Sequence, residues 1–485
     1  MKPTGIKRIL ASLVIATLMA GISSWASTVA IVGGSATQDG RPLLMKLRDN
    51  STGPNQEYVY DATGPYAYVS VTYRDTLNQA WDGVNNVGFN IIDSNAWNFN
   101  DPIPGPDDDG FIIRQALRTC RTVDDFQLIM DSTNLTGRTR PANYGVIDAT
   151  GAGAFFEAAA NVYYRHNLDD SIAAPNGYMV RANFAYSGSS YHLGQNRHDR
   201  VMALLDSAYA GDFITHQYIA QVICRDLVND RIDPYPLPFD GKDGTLPYGL
   251  LHTHECINRE ISKSAMVIQT ALPSENPQLC TVWALVGEPI ATTALPLWVL
   301  AQSTPVEFDG PPGIGSSLNN KALQLRDYLY RFSIDDDALD TWRVVDERGQ
   351  GLLPLLVSLE NQATFRGDSA LAVWRNTGLP TPAVAASLQN SIASYTYAQL
   401  DAWGPPQDPD LSITRLNPTQ VRLTWNPITL DVFNRPITVS GYTVYSSPEA
   451  FYNRLAGDSL TTVTTTNVTL PSTDTSRLYQ VRARR

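Results

Sequence analysis

The chain has 485 residues, 43% hydrophobic and 17% charged, which is enough apolar material for a packed core and too few charges for a disordered chain. Lys and Arg number 36 against 48 Asp and Glu, a net charge of −12; this argues against a nucleic-acid partner, which requires a basic face to displace counterions. The length predicts two or three domains, and 23 Tyr, 9 Trp, 33 Gly and 31 Pro favour β-rich, loop-rich structure over a helical bundle.

Lys2, Lys7 and Arg8 precede an apolar run over residues 9–21, closed by Ser23, Ser24, Trp25 and Ala26. This three-part pattern predicts a secretory signal cleaved after Ala26, so the mature chain is expected to be exported (periplasmic, extracellular or surface-associated) and to begin at Ser27. No Cys follows the apolar run to suggest a lipid anchor, and no later segment reaches the ~20 apolar residues of a membrane span. Strands are predicted at 28–32 and 43–48, joined through Asp39-Gly40, then at 66–73 and 88–93. Helices follow at 111–118 and 123–130, the second opened by Thr122 with Asp125 three residues on, a capping box. A hairpin over 144–148 and 154–157 turns at Thr150-Gly151, and 178–184 reads as a strand. Residues 197–209 and 214–228 have helical spacing; strands return at 266–271, 281–286 and 297–300, and helices at 318–332 and 382–403. Strands and helices in blocks predict stacked layers with antiparallel sheets. The Pro-rich stretch 404–409 marks a stiff linker. Beyond it, alternating runs at 411–416, 420–425, 440–446, 463–470 and 477–484 predict a small β-sandwich around Trp425.

Cys120, Cys224, Cys256 and Cys280 fit an oxidising compartment with one or two disulfides, three full pairings being open, or equally four buried thiols. The phosphate-cradling loop, the H-E-x-x-H helix and the G-x-S-x-G elbow are absent from the sequence. His252-Thr253-His254, Asp107-Asp108-Asp109 and Asp335-Asp336-Asp337 read as polar loops, an acidic turn and a helix start, so no metal or cofactor is expected. His166, His192, His198 and His216 form no triad pattern. The expected mature N-terminus, Ser27, offers a chemistry that needs no histidine. A free α-amine titrates near 7.7–8.0 and can take the proton from the hydroxyl of its own residue, which makes nucleophile and base one residue.

Ser27-Thr28-Val29-Ala30-Ile31, the Asp39-Gly40 turn and the strand through Lys46 to Asp49 resemble the start of the N-terminal nucleophile hydrolases. The group includes conjugated bile-salt hydrolases, penicillin V acylases and acyl-coenzyme A:6-aminopenicillanate acyltransferase-like proteins. Ser27 stands at their nucleophilic Cys, Lys46 at a basic residue that implies substrate binding, and Asp49 at the Asp that orients the amine. Gly83-Val84-Asn85-Asn86-Val87-Gly88 is similar to their G-x-N-E-x-G turn, with Asn85 a turn residue. Asn95, ten residues on, and Asn183 in Val180-Arg181-Ala182-Asn183-Phe184 match the oxyanion asparagines. Residues 144–151 with Glu157 match a D-x-x-G hairpin, and Arg197 matches the active-site Arg. The resemblance runs from Ser27 to about residue 300. It implies an α+β fold, a four-layer αββα sandwich over 27–403, and cleavage or transfer at a linear amide in a small molecule or peptide. Residues 410–485 resemble a fibronectin type III domain and imply a module for surface or partner binding. The alternative is an exported binding protein that keeps the hydrolase fold without turnover.

Overall fold

The computed structural model describes residues 27–74, 76, 78–99, 101, 103–447, 459–472 and 477–485; the predicted signal segment lies outside them. Strands are numbered in chain order. Ser27–Val32 (β1), Leu43–Asp49 (β2), Tyr178–Arg181 (β10), Ser262–Gln269 (β12), Thr281–Val286 (β13) and Leu295–Leu297 (β14) form one antiparallel sheet. Its order is β10-β1-β2-β12-β13-β14. A second, seven-stranded meander runs Gln56–Asp61 (β3), Tyr68–Tyr73 (β4), Asp82–Asn85 (β5), Asn90–Asn95 (β6), Ala142–Ile147 (β7), Gly153–Ala158 (β8) and Tyr163–Asn167 (β9). Leu250–His252 (β11) and Ala338–Asp340 (β15) pair separately.

Side-chain alternation explains the near-continuous apolar runs of β1 and β2, because both faces of these strands are buried. Val29, Ile31 and Leu44 enter one core cluster with Val69, Val71, Ile92 and Phe155 of the other sheet. Ala30, Val32, Leu43, Met45 and Leu47 enter a second cluster with Val201 and Leu205, which belong to helix Gln195–Ala210. Ile91, Tyr144, Val146 and Phe156 form a third cluster with Ile113 and Phe126, from helices Asp109–Thr119 and Val123–Thr136. In chain order the helices are α1 (Asp109–Thr119), α2 (Val123–Thr136), α3 (Gln195–Ala210), α4 (Ser317–Leu329), α5 (Leu352–Thr377) and α6 (Pro382–Ala402). The fold is α+β. The capping box forms as the sequence requires: Asp125 N donates to Thr122 Oγ1 and Thr122 N to Asp125 Oδ2. Among the described residues no helix is long and apolar enough to cross a membrane.

Several expectations change. The helix predicted over 214–228 shrinks to the turn His216–Tyr218 and a π-turn Ile219–Ile223. Beyond Cys224 the chain turns inward so that Arg225 can reach Glu360, Pro289 O and Thr292 O, and that burial ends the helix. The strand predicted at 297–300 stops at Leu297, and Val299–Ala301 is a 3-10 turn. Pro296 fits because β14 is an edge strand, where a missing N–H costs no ladder bond. Helix α5, 26 residues long, has no counterpart among the predicted elements. Its inward stripe contains the charged Glu360 beside Leu356, Leu359 and Ala363, which blurs the apolar period. Gly367 is obligatory there, since a Cβ would stand 2.9 Å from the Trp283 ring.

All four cysteines are free and buried, so the disulfide alternative is not realised. Residues 404–409 are packed rather than extended: Val432 N donates to Pro405 O and Gln407 N to Leu430 O. Beyond them lie two three-stranded sheets. Leu411–Asn417 (β16), Gln420–Trp425 (β17) and Asn467–Pro471 (β20) form one; Gly441–Ser447 (β18), Ser459–Val463 (β19) and Leu478–Arg484 (β21) form the other. Their shared core is Val421, Leu423, Trp425, Tyr442, Val444, Leu470 and Val481.

Candidate active site

Ser27 opens β1, opposite Arg48 on β2. Its N–H donates to Asn183 Oδ1 at 3.1 Å. Asn183 follows β10, the strand on the other side of β1, so sheet pairing brings together residues 156 positions apart. Arg197 closes the group from α3: Nη1 donates to Ser27 O at 3.1 Å and to Thr28 Oγ1 at 2.7 Å, and Nη2 to Asn183 Oδ1 at 2.8 Å. Gly194 makes this approach possible. It caps α3 with φ +81, and a Cβ there would stand 2.3 Å from Arg197 Nη2.

Two donors on Asn183 Oδ1 fix the orientation of its amide, because the flipped group would set NH₂ against a guanidinium and an N–H. Asn183 Nδ2 donates to Asn95 O at 3.3 Å, and the second hydrogen of that nitrogen remains. Asn95 thus meets Asn183 at the end of β6. Behind Asn183, Arg181 Nε donates to Glu157 Oε1 at 2.6 Å, and Glu157 also accepts from Tyr186 N and Ser187 N. Burial pushes the Glu157 carboxyl up, but hydrogen bonds from His166 and Ser187 and the Arg181 charge hold it at about 2. This anion ties down the chain on both sides of Asn183.

Asp49 lies at the end of β2, facing the helix-bearing side with Leu47 and Met45. Its Oδ1 accepts from Ser262 Oγ at 2.6 Å. Its Oδ2 is buried without a hydrogen bond, 3.5 Å from Arg259 Nη1 and 3.9 Å from Arg197 Nη1. Burial raises the Asp49 carboxyl above the usual range against the pull of Arg259 and Arg197, since neither cation completes a hydrogen bond to Oδ2. Arg197 is drawn down to about 10, first by burial and then by Arg259. The resemblance implies that Asp49 orients the Ser27 nitrogen. In the structure that nitrogen bonds Asn183, and Asp49 reaches the group through Arg197.

Lys46 departs further from expectation. Its ammonium is buried against the Asp93 carboxylate and Trp81 O, a closed ion pair where a group offered to substrate was expected. The neighbour that faces the Ser27 side is Arg48, which the sequence reading passed over. Its guanidinium lies 4.7 Å from both the Tyr73 and Trp81 ring centroids and donates to Gln56 Oε1 and Tyr73 OH. Asp82 beside it is pushed up to about 6 by burial, against Lys46. Thr28, Arg259 and Ser262 were also missed. Arg259 and Ser262 lie outside any periodic run, and only the pairing of β12 with β2 carries them to Asp49. Asn85 is a turn residue as expected: Nδ2 donates to Leu117 O and Cys120 O, and Oδ1 accepts from Val87 N and Phe89 N.

His252 Nδ1 lies 2.7 Å from Asp337 Oδ1. With Asp335, this is the one set among the described residues whose ligand atoms converge, within 4.8 Å, as a cation site would need. None of its three residues takes part in the hydrogen bonds of Ser27, Asn183 and Arg197. Asp107 pairs with Arg140 and Asp108 accepts from Thr139 N and Arg140 N, so that acidic turn is a loop clasp.

No protein-family model matches the chain, and no curated protein does. Among solved structures it is similar to two variants of conjugated bile acid hydrolase from Clostridium perfringens. Identities are 13% and 11%, over 53% and 54% of this chain and 89% of each of those, with TM-scores of 0.32 and 0.33. It is also similar to penicillin V acylase from Agrobacterium tumefaciens, at 12% identity over 56% of this chain and 85% of that one, TM-score 0.32. At such values no residue's role passes from those proteins to this one.

Proposed function

We propose that this protein is an exported N-terminal nucleophile amidohydrolase or acyltransferase. Residues 27–403 would be its four-layer αββα domain and residues 410–485 a fibronectin-like module. Removal of residues 1–26 turns the Ser27 nitrogen into a free amine. The observation that carries the reading is the convergence of Ser27 N, Asn183 Oδ1 and Arg197 on one another, with a buried Asp49 alongside.

The amine keeps its hydrogen bond to Asn183 through one N–H and retains its lone pair for the Oγ proton. Two nearby guanidinium groups against one carboxylate favour the neutral amine. Ser27 Oγ attacks the amide carbon, its proton passes to the amine, and the tetrahedral oxyanion meets the spare Asn183 Nδ2–H and the Asn95 amide. One such donor is worth roughly 3 kcal/mol of barrier. As the C–N bond breaks, the amine returns the proton to the leaving nitrogen. Water or an acceptor amine, deprotonated by the same amine, then attacks the Ser27 ester and releases the acyl group. The free base is required, so the rate rises with pH until the amine is neutral, through about 7.7–8.0 or somewhat below.

Sequencing the N-terminus of exported protein tests the amine, and a panel of acyl amides compared between wild type and Ser27→Ala tests the nucleophile. Expected are a start at Ser27 and a loss of at least ~10³-fold in rate, with Ser27→Cys active. A mature chain that retains residues before Ser27, or equal rates for Ser27→Ala, would leave the non-catalytic binding protein.

A further inference from the structure

A cavity of about 580 Å3 lies between the Asp346–Gly351 turn, the start of α5, the residues after α6 and the outer face of β21. Its volume is that of small-ligand sites, which favour domain junctions. The two sides are held together around it: Tyr445 OH donates to Glu347 Oε1 at 2.5 Å, and Arg485 Nη1 to Gly404 O at 2.7 Å.

Charge and shape define the guest. The chain as a whole is acidic, −12, yet this cavity is lined by Arg343, Arg348, Arg482 and Arg485 against Asp346 and Asp408, with Arg485 donating to Gly404 O. Arg343 is held by Asp340 and Tyr328 O, and Arg348 by Asp346. Asp346 is further occupied by the backbone N–H of Arg348 and Gln350. Arg482 differs. Its Nε is buried with no hydrogen-bond partner, and no carboxylate pairs with its guanidinium among the described residues. A buried guanidinium N–H left unmet is costly, and the fork matches an oxyanion in two-point geometry. Tyr328, Trp342 and Trp403 supply flat apolar wall beside it.

We propose that this cavity binds a small aromatic acid. Its carboxylate or phosphate oxyanion is taken by Arg482, with Arg348 able to swing from Asp346, and its ring lies against Tyr328, Trp342 and Trp403. The site spans the two parts of the chain, so occupancy also tightens the junction. It does not depend on the Ser27 reading. Phenylacetate and phenyl phosphate, titrated by calorimetry into the full exported protein, test it and separate the two oxyanions. Saturable binding of either is expected, weakened on the order of tenfold or more in Arg482→Gln, weakened in Arg348→Gln and unchanged in Ser27→Ala. The Arg348 variant, at an exposed side chain, guards against a folding defect in the Arg482 variant. Absence of saturable heat with both probes overturns the proposal. So does affinity unchanged in both arginine variants, or binding lost in Ser27→Ala.

Discussion

The double-sheet body and the six strands after it solve the same packing problem at different scales. Residues 27–403 bury charged groups freely: Lys46 with Asp93, Arg181 with Glu157, Arg225 with Glu360, and Asp49 between Arg197 and Arg259. The C-terminal strands bury an apolar core of seven residues and keep charges at the rim; β16 is exposed along nearly its whole length. A small unit buries a smaller fraction of its surface and has little stability to offset an ion's desolvation. The large body holds several ion pairs out of water, whereas beyond it the buried Asp431 carboxylate pairs with Arg435 and accepts from the backbone N–H of Phe433 and Arg435. Under the proposed function, chemistry would fall to the first region and attachment to the second.

The sharpest way to break this contrast is Glu360→Ala. It strands Arg225, whose Nη2 donates to Glu360 Oε2 at 2.6 Å, and removes the acceptor of Ala294 N. A loss of about 3–5 kcal/mol in the main unfolding transition is expected by denaturant titration; a loss under ~1 kcal/mol would mean that the pair is not buried as described. Trp425→Ala should act on the other side. Removing the centre of the small core is expected to destabilise the C-terminal strands by about 3 kcal/mol, separating a low-temperature transition in calorimetry while Ser27-dependent turnover persists. Loss of turnover together with that transition would show that the two regions are one cooperative unit.

The gentlest probe is pH. Glu288 is fully buried, accepts from Tyr330 OH and Asn258 Nδ2, and burial raises its carboxyl to about 7 despite Arg326. Because the folded value lies above the unfolded one, near 4.5, its contribution is complete below pH 4.5 and is lost as pH rises through about 7. Glu288→Gln keeps the acceptor and cannot ionise. Relative to wild type it should gain stability above pH 7, by at most about 3 kcal/mol, and match wild type near pH 4.5. Parallel stability curves for the two proteins across that window would refute the assignment.

Much of this was legible without coordinates. The alternation of β1 and β2, the Thr122–Asp125 cap, the Thr150-Gly151 turn and the strand-rich tail follow from local rules, because backbone geometry and periodic burial act over a few residues. Ser27, Asn95, Asn183 and Arg197 could be nominated by resemblance. Helix α5 could not, because a buried glutamate interrupts its stripe and its partner Arg225 lies 135 positions away. Lys46 looked available for substrate because nothing near it in sequence announces Asp93.

The order of residues by itself determined many of the strands and helices, where the composition shifts, and which serine could carry its own base. Tertiary structure alone decided which charges are paired. Only the folded sheets show that Asn183 turns its oxygen rather than its nitrogen toward Ser27, that Asp49 lies beside Arg259 and Ser262, and that Arg482 Nε is buried without a partner among the described residues. Electrostatic partnership depends on distance and on exclusion of water, and neither is written in the spacing of residues along a chain.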